Sequence, residues 1–193
     1  MHFNVRVAKL LGVAVLYAFG GVLCEYLQQR QHQFTGYWGP NSDLLDLSLG
    51  ALPFVVLSVA LFLRTWKAVL SAPLNIAVWA LTSTFAADFG RTHAGDIRSV
   101  WVGLCLAGLA GGLGVALADS ICHPILLAPR YLAGAACIGT VAGVPFGLWC
   151  FGFVTFVGAW MCALVIWQAS MGTYLYSACT HGKMANSQKG RQV

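Results

Sequence analysis

Charged residues are scarce in this chain of 193 residues, of which only 9% are Asp, Glu, Lys or Arg. A soluble domain averages about 25% charged residues. Hydrophobic residues make up 59% of the chain, so a water-exposed surface would have too few charges to cover it. Lipid is the more suitable solvent, and the composition predicts an all-α membrane protein in a lipid bilayer.

The longest stretch without any charged side chain covers residues 131–182. One straight helix of that length would extend roughly 75 Å, whereas the hydrocarbon core of a bilayer is only about 30 Å thick. The stretch must therefore fold back on itself as two helices.

Several functional motifs are also missing. The seven cysteines contain no CxxC pair, which argues against a redox enzyme or a zinc site. The histidines fall in loops or at helix ends, so a bis-histidine haem has no ligands. No lysine or carboxylate is predicted deep in the membrane, which argues against a retinal Schiff base and against ion-coupled transport. We predict no metal, no cofactor and no nucleic-acid partner.

Six apolar runs predict a polytopic bundle of six transmembrane helices in one domain, residues 1–178, followed by a disordered cytoplasmic tail, residues 179–193. The first run could instead be a cleaved signal peptide. A second interpretation begins the fifth helix at Pro124 and places the turn that follows this helix at residues 143–147. The predicted spans are about 7–27, 47–63, 68–87, 100–118, 132–149 and 152–176.

The basic residues predict the orientation of this bundle. With six spans, eight of the eleven Lys and Arg residues fall on one side and three on the other. Because cytoplasmic loops carry the excess of Lys and Arg, both termini are predicted to be cytoplasmic (N-in/C-in). With five spans, five basic residues would fall on one side of the membrane and six on the other. The absence of an Asn-x-Ser/Thr sequon is consistent with a bacterial inner membrane.

The third run carries a polar stripe near mid-membrane depth. Ser71, Asn75 and Thr82 lie within about 40° of one another on a helix. Such residues usually form hydrogen bonds between helices, which is the interpretation the sequence favours because no ionisable group joins them. The alternative is a polar path or ligand contact.

Two further groups could carry chemistry. The segment 88–98 holds candidate catalytic residues, and these types can do acid–base work or bind an anionic headgroup. Asp119 and His123 lie four residues apart with Cys122 beside His123, which could form a nucleophile and its base. For the segment 88–98 the favoured interpretation is a solvated loop. For Asp119 and His123 it is an interfacial ion pair at the end of a helix that Pro124 breaks. The candidates in the segment 88–98 are Asp88, Arg91, His93 and Asp96.

Small residues recur four apart in the fourth and fifth runs and predict close packing of these helices. They could pack against each other or against another membrane protein. The glycines concerned are Gly108, Gly112, Gly139, Gly143 and Gly147.

Three functions remain open from the sequence. The favoured one is a non-catalytic accessory or assembly subunit, since no catalytic motif is present. The second is a carrier or channel for a neutral or lipid-like solute that uses the polar stripe. The third is a small membrane enzyme with a polar site on the outer face.

Overall fold

A computed structural model describes the backbone of residues 2–35, 42–93, 95–150 and 158–189. These residues contain helices and no strand, so the predicted all-helical class is confirmed. A short 3₁₀ helix, Pro124–Leu127, follows the fourth α-helix. The six α-helices are α1 (His2–Thr35), α2 (Ser42–Leu61), α3 (Ala68–Thr92), α4 (Ile97–Ser120), α5 (Pro129–Cys150) and α6 (Gly158–Lys189).

Each helix extends beyond its predicted run at one end or both, and α1 continues to Thr35 rather than ending near residue 27. Helix α3 continues to Thr92, so the first part of the predicted outer loop 88–98 is helical. Helix α6 continues to Lys189, where the sequence predicted a disordered tail from residue 179. Alanine, lysine, methionine and glutamine in this tail are good helix formers, which favours extension of α6. The turn predicted between the fifth and sixth runs is outside the described residues, which stop at Cys150 and resume at Gly158.

Among the described residues, three segments are long and apolar enough to cross a membrane, judged by length and composition: Val5–Leu27, Ala68–Ala86 and Ile97–Ser120. Large apolar side chains on α1 point away from the protein, and Val15 and Phe19 are 66% and 72% exposed. Burial of such side chains in lipid is favourable, whereas water would oppose their exposure. The prediction of a helical protein suited to membrane insertion is therefore supported.

Around the bundle, each helix packs against the next one in sequence, and α1 closes the ring by packing against α6. Four aromatic rings from different helices fill its centre. Tyr17 packs on Phe54 with ring centroids 5.3 Å apart, and Phe54 packs on Trp167 at 5.6 Å. Trp167 meets Trp79 edge-on at 4.9 Å. This chain of rings joins α1, α2, α6 and α3 in one core.

Glycines allow the closest helix contacts in this ring. A Cβ atom on Gly139 would collide with the backbone carbonyl oxygen of Gly108, and one on Gly112 with that of Ala135. Helices α4 and α5 therefore meet backbone to backbone. A Cβ atom on Gly21 would lie 2.7 Å from the Cα of Val165, so α1 and α6 approach each other in the same way.

Candidate functional site

The end of α4 places a carboxyl group against the polar face of α3. Asp119 is fully buried, and its Oδ1 accepts a hydrogen bond of 2.9 Å from Ser71 Oγ. The same oxygen accepts a hydrogen bond of 2.6 Å from Asn75 Nδ2. Asn75 Nδ2 also lies 3.3 Å from Ser71 Oγ. These three side chains form one polar cluster, the Ser71–Asn75–Asp119 cluster.

Helix geometry explains how the sequence builds this cluster. Ser71 and Asn75 lie about one turn apart in the first two turns of α3, so their side chains share a face. Helix α4 follows α3 through a short connection and runs back beside it. The end of α4, where Asp119 lies, is thereby brought alongside the beginning of α3.

A short cap closes this end of the bundle. After α4 the chain turns into the 3₁₀ helix Pro124–Leu127, and Leu126 is fully buried beneath the helices. Phe62 and Leu63, in the turn between α2 and α3, are buried as well. His123 Nε2 lies 2.7 Å from the carbonyl oxygen of Phe62 and links the two turns. At this end of the bundle, all three side chains of the Ser71–Asn75–Asp119 cluster are buried.

The burial of Asp119 corrects two sequence-based interpretations. The polar stripe of α3 was expected to lack an ionisable partner, yet Asp119 joins it. An ion pair or catalytic pair of Asp119 with His123 was considered, but Asp119 bonds Ser71 and Asn75, whereas His123 bonds the carbonyl group of Phe62. The reason is that the end of α4 lies inside the protein, where the polar face of α3 supplies the hydrogen-bond donors for Asp119.

Thr82, the third residue of the predicted stripe, is separate from the cluster. Its hydroxyl group donates to the carbonyl oxygens of Val78 at 2.7 Å and Trp79 at 3.2 Å, both in α3 itself. The sequence-based set of Ser71, Asn75 and Thr82 therefore divides into two residues that reach Asp119 and one that bonds its own helix.

Two oxygen atoms of the cluster have no hydrogen-bond partner within the described part of the chain. They are Asn75 Oδ1 and Asp119 Oδ2, and both are buried. A buried polar atom without a partner costs free energy, typically about 1–3 kcal/mol. Both atoms are acceptors when the carboxyl group is ionised, so each lacks a donor. The arrangement can therefore receive a ligand that supplies a hydrogen-bond donor or a positive charge.

The outer candidates do not converge on one point. His93 stacks on Phe89 with ring centroids 4.1 Å apart, and its Nδ1 lies 2.9 Å from Thr92 Oγ1 and 3.1 Å from the carbonyl oxygen of Phe89. The hydrogen bonds of His93 are thus made to α3 rather than to a carboxylate. The side chain of Arg91 lies outside the described residues.

Asp96 has a structural role at the beginning of α4. It is the N-cap residue of this helix, accepting hydrogen bonds from Ser99 Oγ at 2.5 Å and from the backbone N–H of Arg98 at 3.0 Å. The hydrogen bond from the Ser99 hydroxyl, aided by the backbone N–H groups of Ser99 and Arg98, lowers the pKa of Asp96. Such a cap stabilises the start of a helix and needs no catalytic explanation.

A cavity of about 420 Å³ opens along the C-terminal half of α3, and Asp88 is the only charged residue in its lining. Neither His93 nor Asp96 borders it, and its walls are mostly apolar. It therefore does not bring the predicted catalytic set together. The lining residues are Leu81, Thr84, Phe85, Asp88, Phe89 and Thr92.

The predicted packing glycines lie where α4 and α5 meet. Gly108 and Gly112 on α4 face Gly139 and Ala135 on α5, and a Cβ atom on Gly143 would lie 3.2 Å from the carbonyl oxygen of Leu104. The surroundings of Gly147 are outside the described residues. These contacts are made within the chain.

Neither a metal nor a relative identifies this site. The described residues contain no group of three or more His, Cys, Asp or Glu side chains that could hold a metal ion. No protein-family model, curated protein or solved structure matches the chain. The function must be argued from the Ser71–Asn75–Asp119 cluster itself.

One sequence signal could have indicated that Asp119 is buried. The connection after α4, from Pro124 to Pro129, contains Ile125, Leu126 and Leu127 and no charged residue. A connection on the aqueous side of a membrane is usually polar, so an apolar one indicates that it folds against the protein. Read in this way, the end of α4 would lie beneath a hydrophobic cover.

Proposed function

We propose that this protein is a membrane carrier for a small neutral solute and that the Ser71–Asn75–Asp119 cluster is its binding site. The observation that carries the proposal is the complete burial of Asp119 against the polar face of α3. Ionisable residues within transmembrane segments are costly and usually serve ion or substrate pathways. The reason for interpreting the polar stripe as hydrogen bonds between helices, the absence of an ionisable group beside it, no longer holds.

The local shape of α3 supports the same proposal. Pro73 lies inside α3, between Ser71 and Asn75. Proline has no backbone N–H and removes one helical hydrogen bond. Interrupted helices whose backbone groups border the substrate are common in transporters. Pro73 would allow the beginning of α3 to move relative to α4 and open the cluster.

We further propose that the six helices all span the membrane, with both termini in the cytoplasm. Helix α2 has 20 residues and α5 has 22, and about 20 residues suffice for a bilayer core. The distribution of eight basic residues on one side and three on the other supports this orientation. The Ser71–Asn75–Asp119 cluster then lies in the cytoplasmic half of the bundle.

Reporter fusions expressed in a bacterium test this orientation. Alkaline phosphatase, which is active only outside the cytoplasm, is expected to be active when fused after Gly95 and inactive when fused after Lys67. A fluorescent protein that folds only in the cytoplasm is expected to give the opposite pattern. Phosphatase activity after Lys67, or none after Gly95, would contradict the proposed orientation.

Osmotic swelling of proteoliposomes tests the carrier function. Vesicles containing the protein are expected to swell faster than empty vesicles in at least one isosmotic solution of urea, glycerol or erythritol. The Asp119→Asn variant is expected to lower the protein-dependent rate at least about tenfold, which corresponds to roughly 1.4 kcal/mol in the barrier. The asparagine side chain fills the same space as the aspartate but cannot gain or lose a proton.

The Thr140→Val variant is the matched control, because the Thr140 hydroxyl bonds only the carbonyl oxygen of Ala136 in its own helix. Its swelling rate is expected to equal that of the unmodified protein. Equal rates for empty vesicles and protein-containing vesicles in all three solutes would reject the carrier.

The other sequence-based hypotheses have less support. An enzyme with an outer site would need His93 hydrogen-bonded to a carboxylate, whereas its ring interacts with Asp96 electrostatically and its hydrogen bonds go to Thr92 and Phe89. An accessory subunit that binds a partner through glycines would need a face other than that of Gly108, Gly112 and Gly139, which α4 and α5 already use. Location in a bacterial inner membrane stays a prediction.

A further inference from the structure

A buried carboxylate without a cation needs another means of stabilisation, and the Ser71–Asn75–Asp119 cluster lacks a cation. Within the described part of the chain, the carboxyl group of Asp119 has hydrogen bonds only to Ser71 and Asn75, and no ion pair. A negative charge buried in this way would be strongly unfavourable, because two neutral donors replace only part of its hydration.

The titratable and charged groups at this end of the bundle do not supply the missing charge. Arg64, Lys67 and Arg130 are exposed, and His123 bonds the carbonyl oxygen of Phe62. Tyr17, the one of these groups that interacts electrostatically with Asp119, hydrogen-bonds Ser58 Oγ at 2.8 Å. The face of α3 toward Asp119 contributes the neutral side chains of Ser71 and Asn75. The titratable and charged groups at this end include Tyr17 on α1, Arg64 and Lys67 between α2 and α3, Cys122 and His123 after α4, Arg130 and Tyr131 on α5, and Cys179 on α6.

The two oxygens without partners indicate what would complete the cluster. Asp119 Oδ2 and Asn75 Oδ1 are both acceptors, and a single hydrogen placed on Oδ2 would turn one of them into a donor. The hydrogen bond from Asn75 Nδ2 to Asp119 Oδ1 already aligns the amide with the carboxyl group. An amide and a protonated carboxyl group can pair through two such hydrogen bonds.

We infer that the ligand of the closed Ser71–Asn75–Asp119 cluster is a proton, held on Asp119 Oδ2 and shared with Asn75 Oδ1. The inference rests on the proposed carrier and names its coupling ion. On binding, an O–H bond forms between Oδ2 and a proton taken from the water that reaches the open cluster. On release, that bond breaks, the proton returns to water, and the carboxylate keeps the electron pair. The ionised Asp119 Oδ2 and Asn75 Oδ1 are then both acceptors and repel each other, and this repulsion separates α3 from α4.

Infrared spectroscopy of the protein in lipid nanodiscs tests this inference without measuring transport. The carbonyl stretch of a protonated carboxyl group is distinct from the bands of amides and carboxylates. This band is expected at neutral pH in the unmodified protein, absent in Asp119→Asn, and unchanged in the control variant Asp96→Asn. It is expected to disappear as the solution is made alkaline.

A second variant makes the test independent of Asp119 replacement. In Asn75→Ala the carboxyl group loses both the N–H from which Oδ1 accepts and the oxygen to which a proton on Oδ2 would donate, so the band is expected to shift to higher frequency. Replacement of choline chloride by sodium chloride at constant pH is expected to leave the band unchanged.

Three results would overturn the inference: no band in the unmodified protein at neutral pH, a band that persists in Asp119→Asn, or loss of the band when sodium is added. The last result would assign the cluster to a metal cation. These outcomes are separate from failure of the carrier proposal, because a protein with the band but without swelling in any solute retains the proton site and loses the carrier function.

Discussion

Replacement of Gly139 by alanine is expected to destabilise the folded protein strongly, although alanine normally favours a helix. The added Cβ atom would collide with the carbonyl oxygen of Gly108 and would lie 3.0 Å from the Cα of Gly112. Both neighbours are backbone atoms, so relief requires α5 to move away from α4. Overpacking of this kind costs about 1–3 kcal/mol, and more where nothing can yield. The free energy of unfolding in mixed detergent micelles measures the effect.

Gly111→Ala is the matched control, one residue away from Gly112 on the same helix. A Cβ atom at Gly111 would lie 3.5 Å from Thr82 Oγ1 and 3.7 Å from Trp167, which is ordinary van der Waals contact. Because alanine is the better helix former, this variant is expected to gain about 0.5–1 kcal/mol. Similar effects of Gly139→Ala and Gly111→Ala on stability would show that α4 and α5 do not meet backbone to backbone.

Two replacements of Asp119 are expected to differ in stability. Asp119→Ala removes the acceptor that Ser71 and Asn75 share, leaving buried donors unpaired at a cost of about 1–3 kcal/mol. Asp119→Asn keeps an oxygen acceptor and adds an N–H donor that can bond Asn75 Oδ1, as a protonated carboxyl group would. It is therefore expected to unfold at nearly the same temperature as the unmodified protein, as measured by thermal unfolding in detergent.

This comparison also separates two roles for Asp119. If the folded protein required a negative charge there, Asp119→Asn would be as unstable as Asp119→Ala. A stable Asp119→Asn variant that no longer carries solute would place Asp119 in the transport step. An unstable one would limit the residue to a structural role.

The helical class and the packing of α4 against α5 could be predicted from the sequence, because a single physical effect dominates each of the patterns concerned. Apolar runs and the scarcity of charge indicate helices in lipid, and glycines four apart indicate where two backbones can touch. The shared face of Ser71 and Asn75 follows from helical periodicity alone. Each of these features depends on residues close together in the chain.

The burial of Asp119 depends on distant residues and was missed for that reason. Helix α4 ends at Ser120 and His123-Pro124 follows shortly after, and a helix end near a proline resembles an interface with water. The position of Asp119 is decided by the 3₁₀ helix folding under the bundle and by Phe62, which is 61 residues before His123 in the chain. The contact of Gly21 with Val165 was missed in the same way, since α1 and α6 lie at opposite ends of the sequence.

The central claim is that Asp119 is energetically coupled to α3, and a double-mutant cycle measures this coupling directly. The free energy of unfolding is compared for the unmodified protein, Asn75→Ala, Asp119→Ala and the double variant. The hydrogen bond of 2.6 Å between these side chains predicts a coupling of about 1–2 kcal/mol. The control pair Asn75→Ala and Thr140→Val is expected to be additive within about 0.5 kcal/mol. Additivity of the Asn75 and Asp119 variants would contradict the account.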